Sequence, residues 1–399
     1  MENNRITFIL PSRNNLELLK LAYSSIKKLQ NNHDIIILDD ASVDGTKEWL
    51  NSLKDNNLTV FTNPTKERMG IVGMYNKGAK LAKTDIIFTF HADMVAGKNL
   101  DVNILKHLKR GTVVPATRIE PPLHPPGPEK IIYDFGVEPE EFSMEKWDSL
   151  NESLEVKGKT TKGLFAPWAI YKEDYLSIGG EDELFHPQSK DDSDLFNRFV
   201  LKGYNVIQPW DALVYHFTSR GSRFNKHAGG GTGKNSPEWE KSNLNGTRNF
   251  IRKWGHFVKH DDFSYPIIPP KYDIGFIVKN CNNQLLTILE PWCSTIYVDE
   301  GNIPTMIKNY IDLEQSNTLF NLNERIKPFD NEKNNEILVT IDGSKFTQQD
   351  FQYIQQLSEI LTDSGEPGFH GELGNLVVEI FEVIGTYEKD LIVCHNEKY

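Results

Sequence analysis

The sequence predicts an α/β protein: a mostly parallel sheet with helices on both faces, followed by a smaller, acidic α/β domain. Three observations carry this. Short β-branched apolar runs alternate with segments of helical apolar spacing from residue 5 onward, the order that builds parallel sheets. The run at 86–94, IIFTFHADM, is apolar without alternation and stops at His91-Ala92-Asp93, as a strand buried on both faces does. Charge is split along the chain. Residues 270–399 hold 9 Lys+Arg and 21 Asp+Glu, while the first 269 hold 35 of each. A chain of 399 residues exceeds one ordinary core, so two domains are expected. They are placed at 1–265 and 270–399, with the join in YPIIPPK, where prolines break regular structure.

The composition is that of a soluble globular protein. No apolar run reaches the ~20 residues that cross a membrane. The start, MENNRITFILPSRNN, lacks the basic region and long apolar core of a secretion signal. Cys281, Cys293 and Cys394 are odd in number and far apart, which suits reduced thiols in a cytoplasmic protein. The acidic second half argues against tight nucleic-acid binding there.

In chain order, RITFILP (5–11) is the first strand and SRNN a polar loop. Leu16, Leu19, Ala22, Tyr23 and Ile26 repeat at helical spacing. DIIILDD (34–40) is a second strand ending in two carboxylates, and 58–62 a third. A glycine-bearing stretch, RMGIVG, leads into a helix with Tyr75 and Asn76, and the strand at Ile86 follows. Then come a strand at 111–117, a proline-rich loop at 118–130, an apolar segment GLFAPWAIY (163–171), and a short helix closed by Gly179-Gly180. The helix beginning KDDSDLFNRF carries three carboxylates in its first turn. The helix dipole and capping account for one or two of them, not three. A strand at 212–217 carries His216. TSRGSRFNKHAGGGTGK (218–234) fits no compact element and reads as a lid over a site. A helix at 237–258 ends the first domain. In the second, strands are expected at 273–278, 285–289, 295–298, 337–341 and 391–394, with helices at 304–309, 348–361 and 373–384.

Polar clusters end three strands: Pro11-Ser12-Arg13, Asp39-Asp40 and His91-Ala92-Asp93. In open α/β sheets these ends converge where ligands bind. Asp93 offers a hard oxygen and His91 a borderline nitrogen to a divalent cation, and a cation holds phosphates. No G-x-x-x-x-G-K-[ST] stretch and no G-x-G-x-x-G after the first strand is present, which disfavours both common phosphate loops.

Over residues 5–254 the chain resembles glycosyltransferase family 2, nucleotide-sugar-dependent enzymes of GT-A fold. ITFILPSRNN is similar to the family's first strand and loop, and IIILDDASVDGT nearly matches its DDxSxDGT signature. RMGIVGMYNKGAKLAKTDIIFTFHAD resembles the glycine/asparagine helix and metal-binding strand. YLSIGGEDELF resembles the GGFDE segment, and KDDSDLFNRF the helix whose ED pair carries the base. The resemblance assigns Pro11, Ser12, Arg13, Asp39, Asp40, Arg68, Asn76, His91 and Ala92 to the nucleotide-sugar pocket. It places a divalent metal on Asp93, the last acid of D-x-D, and on His216, a late histidine. His91 stands where the family has the first acid. A mixed N/O site suits Mn2+ better than Mg2+.

The family implies an inverting single displacement. A hydroxyl is a poor nucleophile, so a base is required: Asp192, with Asp191 at the place of the Glu. The basic loop supplies Arg220, Arg223 or Lys226 to the leaving diphosphate. The acceptor is expected beside Trp168, Gly180 and Glu181, with Phe165 and Trp210 as further stacking rings. The donor is a nucleoside-diphosphate sugar, with UDP as the nucleotide. The acceptor is a glycan or a lipid-linked glycan.

Two alternatives stand beside this reading. The acceptor is a hydroxymethylated base in DNA, gripped by the stretch 218–260, whose nine Lys/Arg against Glu238 and Glu240 give +7. Or the chain is a non-catalytic nucleotide-sugar or glycan-binding module whose metal site has decayed at His91. The second domain is a candidate for homo-oligomer contacts or acceptor holding.

Overall fold

The computed structural model describes residues 5–65, 67–220, 223–299 and 303–385. The chain divides into two compact units. One holds the described residues up to Asn243 together with His260–Ile267, the other Leu244–Lys259 and the described residues from Ile268 onward.

The first unit is built on β1 (Ile6–Ser12), α1 (Leu16–Ile26), β2 (Asp34–Asp39), α2 (Thr46–Ser52), β3 (Leu58–Thr62), α3 (Gly70–Leu81) and β4 (Ile86–Thr89). The alternation of β1 explains both faces of the sheet. Ile6, Phe8 and Leu10 bury against Leu19, Ala22 and Ile26 of α1. Ile9 faces the other way, with Met74, Tyr75 and Ala79 of α3. β1 pairs parallel with β2 and β4, and β2 with β3. Antiparallel Trp168–Tyr171 beside β4, then Thr112–Pro115 and Asn205–Val206, complete a seven-stranded sheet. This is the mostly parallel sheet with helices on both faces expected of a GT-A fold.

A second, four-stranded sheet orders Met94–Ala96, Leu213–His216, Thr117–Glu120 and Ile131–Ile132. Its register sets His216 opposite Met94, so a residue over a hundred positions away in sequence arrives beside the end of β4. Thr117–Glu120 runs parallel to Leu213–His216. The sequence pattern ends this strand at 117 and makes 118–130 a loop. The chain instead leaves the first sheet at Pro115 and continues extended in the second.

The second unit has a six-stranded sheet ordered Ile326–Pro328, Thr295–Val298, Ile274–Lys279, Ile337–Asp342, Leu376–Ile380 and His370–Leu373. Its first four strands are parallel and the fifth is antiparallel to the fourth. The order β3-β2-β1-β4 followed by antiparallel Trp168–Tyr171 therefore recurs here on a smaller scale. Two expectations change in this unit, and a third falls outside the described residues. Residues 285–289 are helical, within Asn283–Leu289, because Asn282 caps the backbone N–H of Leu285 and the leucines bury at helical spacing. The expected helix at 373–384 is a hairpin strand, turned at Gly374 with φ +63°, and its run LVVEI buries alternate residues. The expected strand at 391–394 lies outside the described residues. The helix Pro237–Trp254 passes from one unit's residues to the other's at Leu244. Arg252, from its later turns, is fully buried against Glu290.

Candidate functional site

At the carboxyl ends of β1, β2 and β4 lies a cavity of about 290 Å3. Asp93, 2% exposed, is at its floor. His216 Nε2 stands 3.8 Å and His91 Nδ1 4.0 Å from the two Asp93 carboxylate oxygens. One atom from each residue fits within 4.8 Å of the others. Glu120 accepts or shares the proton of His216 Nδ1 at 2.9 Å, which orients the ring and presents Nε2 to Asp93, the arrangement typical of a ligating histidine. Arg118, His216 and Lys130 hold Glu120 below the usual carboxylate range against the opposing effect of its burial. Burial pushes His91 down to about 4, so it is a neutral imidazole with a lone pair to offer. These three residues can hold a divalent cation.

Pro11, Ser12, Arg13, Asp40 and Arg68 line one side of the cavity. The Ser12 hydroxyl is buried without a hydrogen-bond partner among the described residues. Asp40 accepts the backbone N–H of Met69 and Gly70, each at 3.0 Å, and the Asn63 amide at 2.8 Å. It thus ties the end of β2 to the start of α3. Asp39 accepts from Ser42 N–H at 3.1 Å, while its second oxygen is buried without a hydrogen bond. Arg13 and Arg68 both reach Glu238.

Asp192 also lines the cavity. It is exposed, and Asp191 beside it is buried. Burial, and then the Asp192 charge, pushes Asp191 up to about 7. Asp194, the third carboxylate of the turn, is fully buried and bonded to Arg198 Nε at 2.8 Å. The turn is set by Ser189 and Lys190, both at positive φ.

Residues 7–146 match the family model for glycosyl transferase family 2. The chain carries a family 2 glycosyltransferase domain. Over 105 residues, 26% of this chain, it is 29% identical to the poly-beta-1,6-N-acetyl-D-glucosamine synthase of Staphylococcus aureus strain COL. It is 28% identical over the same length to that of strain MSSA476. The match spans about a quarter of those proteins, 25% of their length. Among solved structures, GalNAc-T7 with UDP, GalNAc and Mn2+ aligns at TM-score 0.42 and 14% identity, over 53% of this chain and 43% of that one. The mannosyltransferase PcManGT from Pyrobaculum calidifontis, in complex with GDP-Man and Mn2+, aligns at 0.39 and 18%, over 62% and 70%.

Several expected site residues of the family 2 domain do other work. Asn76 is buried, donating to the Glu181 carbonyl at 2.9 Å and accepting from Tyr175 and the Glu181 N–H. It fixes a backbone rather than facing the cavity. Gly180 sits at φ +68°, where a Cβ would come 2.4 Å from the Asn76 amide oxygen, so close packing accounts for it. Glu181 is buried, and burial and Asp191 push its carboxyl well up. Trp168 is core, against Phe199 and Tyr175. Trp210 is buried, bonded to Thr161 and covered by Lys159. Phe165 does line the cavity. Arg220 gives its backbone N–H to Asp93 at 2.8 Å, while its guanidinium turns to Thr232 and Glu138. Arg223 bonds Asn235 and stacks on Trp239. Lys226 pairs with Glu138. In the second unit Arg248 meets Glu314, Arg252 meets Glu290 and Lys259 meets Glu359. Five of the nine cations in 218–260 are thus paired with acids, so the charge of that stretch does not support a DNA acceptor.

Sequence reasoning missed Arg118, Glu120 and Glu238. The alternation in Thr117-Arg118-Ile119-Glu120, with Ile119 buried, was a strand signal hidden by the prolines that follow.

No helix among the described residues is long and apolar enough to cross a membrane.

Proposed function

We propose that this chain transfers a sugar from a nucleoside-diphosphate sugar, with UDP as the nucleotide, to a hydroxyl of a glycan or lipid-linked glycan, with inversion at the anomeric carbon. One observation carries the reading: Asp93, His91 and His216 converge in a single cavity that Arg13, Arg68 and Asp192 also line. The donor set of one carboxylate and two imidazoles fits a divalent ion, Mn2+ better than Mg2+. Bound there, such an ion neutralises charge on the leaving diphosphate. His91 then completes a ligand set rather than marking a decayed one, which speaks against a non-catalytic binding module.

The chain's own residues do the rest. Arg13 and Arg68 bind phosphate charge, and the free Asp39 oxygen accepts from the base or ribose. Asp192 takes the proton of the attacking hydroxyl. Asp191, buried beside it, is itself pushed up to about 7 by burial and then by the Asp192 charge. Release of nucleoside diphosphate from a panel of nucleotide sugars, with and without Mn2+, tests the reading. Turnover that needs the ion and is lost in D93A supports it, and no release from any donor overturns it.

A further inference from the structure

We infer that Arg118 selects the acceptor: it receives a carboxylate or phosphate carried by the acceptor sugar. This rests on reading the cavity as a glycosyl-transfer site and names the substrate class of that site.

Arg118 lies in the strand Thr117–Glu120 and lines the cavity. Its guanidinium lies over the Phe165 ring, 4.2 Å from the centroid. Glu120 and Glu129 stand 3.5 and 3.8 Å away, yet among the described residues the guanidinium donates no hydrogen bond to either. Its Nε is buried without a partner. Those carboxylates have another cation: Lys130 bonds Glu120 at 3.0 Å and stands 3.8 Å from Glu129. Two acids and two bases make the cluster neutral, so an approaching anion meets no net repulsion. A guanidinium presents five donors in a planar fork that matches an oxyanion two bonds at a time. A buried donor left unused is costly, and a ligand that supplies acceptors removes that cost.

The position fits the acceptor rather than the donor. Arg118 rests on the cavity-lining ring Phe165, whereas the nucleotide-side cations Arg13 and Arg68 come from the ends of β1 and the approach to α3 and meet Glu238 instead. Phe165 adds a flat apolar face of the kind a sugar ring covers. A cation on an aromatic plate, in the cavity that Asp192 also lines, is a site for an acidic or phosphorylated sugar.

The test measures nucleoside-diphosphate release by the full chain with three acceptor sets: hexuronic acids, sugar phosphates, and their neutral parents. The readout is the ratio of kcat/KM for anionic over neutral acceptor. Wild type is expected to favour one anionic set by roughly 10- to 100-fold, and which set separates carboxylate from phosphate. R118Q brings the ratio to about one and R118K retains part of it, as expected when a bidentate fork is replaced by a point charge. E129Q, which removes a competing carboxylate, raises it, a change that a merely structural Arg118 would not produce. Equal use of anionic and neutral acceptors by wild type overturns the inference, as does an R118Q that loses both alike. Donor hydrolysis without acceptor reports separately. If it occurs without anionic preference, the transferase reading stands and this inference falls. If no donor is split, the transferase reading itself falls.

Discussion

Arg68 donates through Nη1 to Glu238, and the same Glu238 oxygen meets Arg13 Nη1 at 3.3 Å. The two arginines, both lining the cavity, are therefore joined by one carboxylate from the first turn of the helix Pro237–Trp254. An incoming diphosphate competes with that carboxylate. E238Q is expected to tighten nucleoside-diphosphate binding by roughly 3- to 10-fold at low salt, with the difference shrinking as salt rises. Calorimetry on both proteins checks it. Equal affinities would mean that Glu238 does not oppose the ligand.

Asp192 and Asp191 separate into surface and buried roles, and their variants should differ. D192N is expected to lower transfer by about 100-fold or more while leaving donor binding nearly intact, the effect of losing a general base. D191N acts on stability as well. Asp191 is raised to about 7 in the folded chain from 3.8, so the folded state holds its proton more tightly than the unfolded one. Stability from this group is present below pH 4 and is lost as pH rises toward 7. D191N should melt higher than wild type at pH 8, by an amount on the order of 1 kcal/mol, with no gain at pH 4. Thermal melts at the two pH values decide.

Glu120 orients His216 for Asp93, and E120Q tests that chain of contacts. Loss of an orienting carboxylate typically weakens a metal site by about 10- to 100-fold. The Mn2+ concentration for half-maximal thermal stabilisation should rise accordingly. Glu120 also bonds Lys130, so the apparent affinity must be read against each protein's own metal-free melting temperature. An unchanged Mn2+ requirement would show that the Glu120 charge does not tune the site.

The first sheet was legible in the sequence because each strand is a short apolar run that stops at polar residues, and the helices between them keep a 3.6 spacing. That Asp93 and Asp192 come to line one cavity was legible for the same reason: each sits at the boundary of a regular element. What was not legible came from residues whose role depends on distant partners. Asn76 and Gly180 each belong to a motif with site residues, but Asn76 bonds the Glu181 backbone and Gly180 makes room for the Asn76 amide. Trp168 reads as a stacking ring and is packed into core by Phe199. Arg220 contributes a backbone N–H, which no side-chain pattern reveals. Residues 285–289 went wrong because a five-residue apolar run has no period of its own, and the Asn282 cap decided it.

Gly70 links the two sides of the cavity, and replacing it should disturb both. It sits at φ +65°, and a Cβ there would come 2.1 Å from the Pro187 carbonyl oxygen and 2.5 Å from its Cα. These are backbone atoms and cannot swing aside. The contact is real structure, because Ile71 N–H bonds the same carbonyl at 2.8 Å. On one side of Gly70 stands Arg68, and beyond Pro187 the chain runs through Ser189 and Lys190 to Asp191 and Asp192. G70A must push the start of α3 away from this loop. Left-handed strain alone costs about 1–3 kcal/mol, and the lost contact adds to it. The variant should melt lower, bind nucleoside diphosphate more weakly and turn over more slowly, with KM and kcat changing together. A G70A protein that loses stability but keeps both kinetic constants would show that the two sides of the cavity are positioned independently.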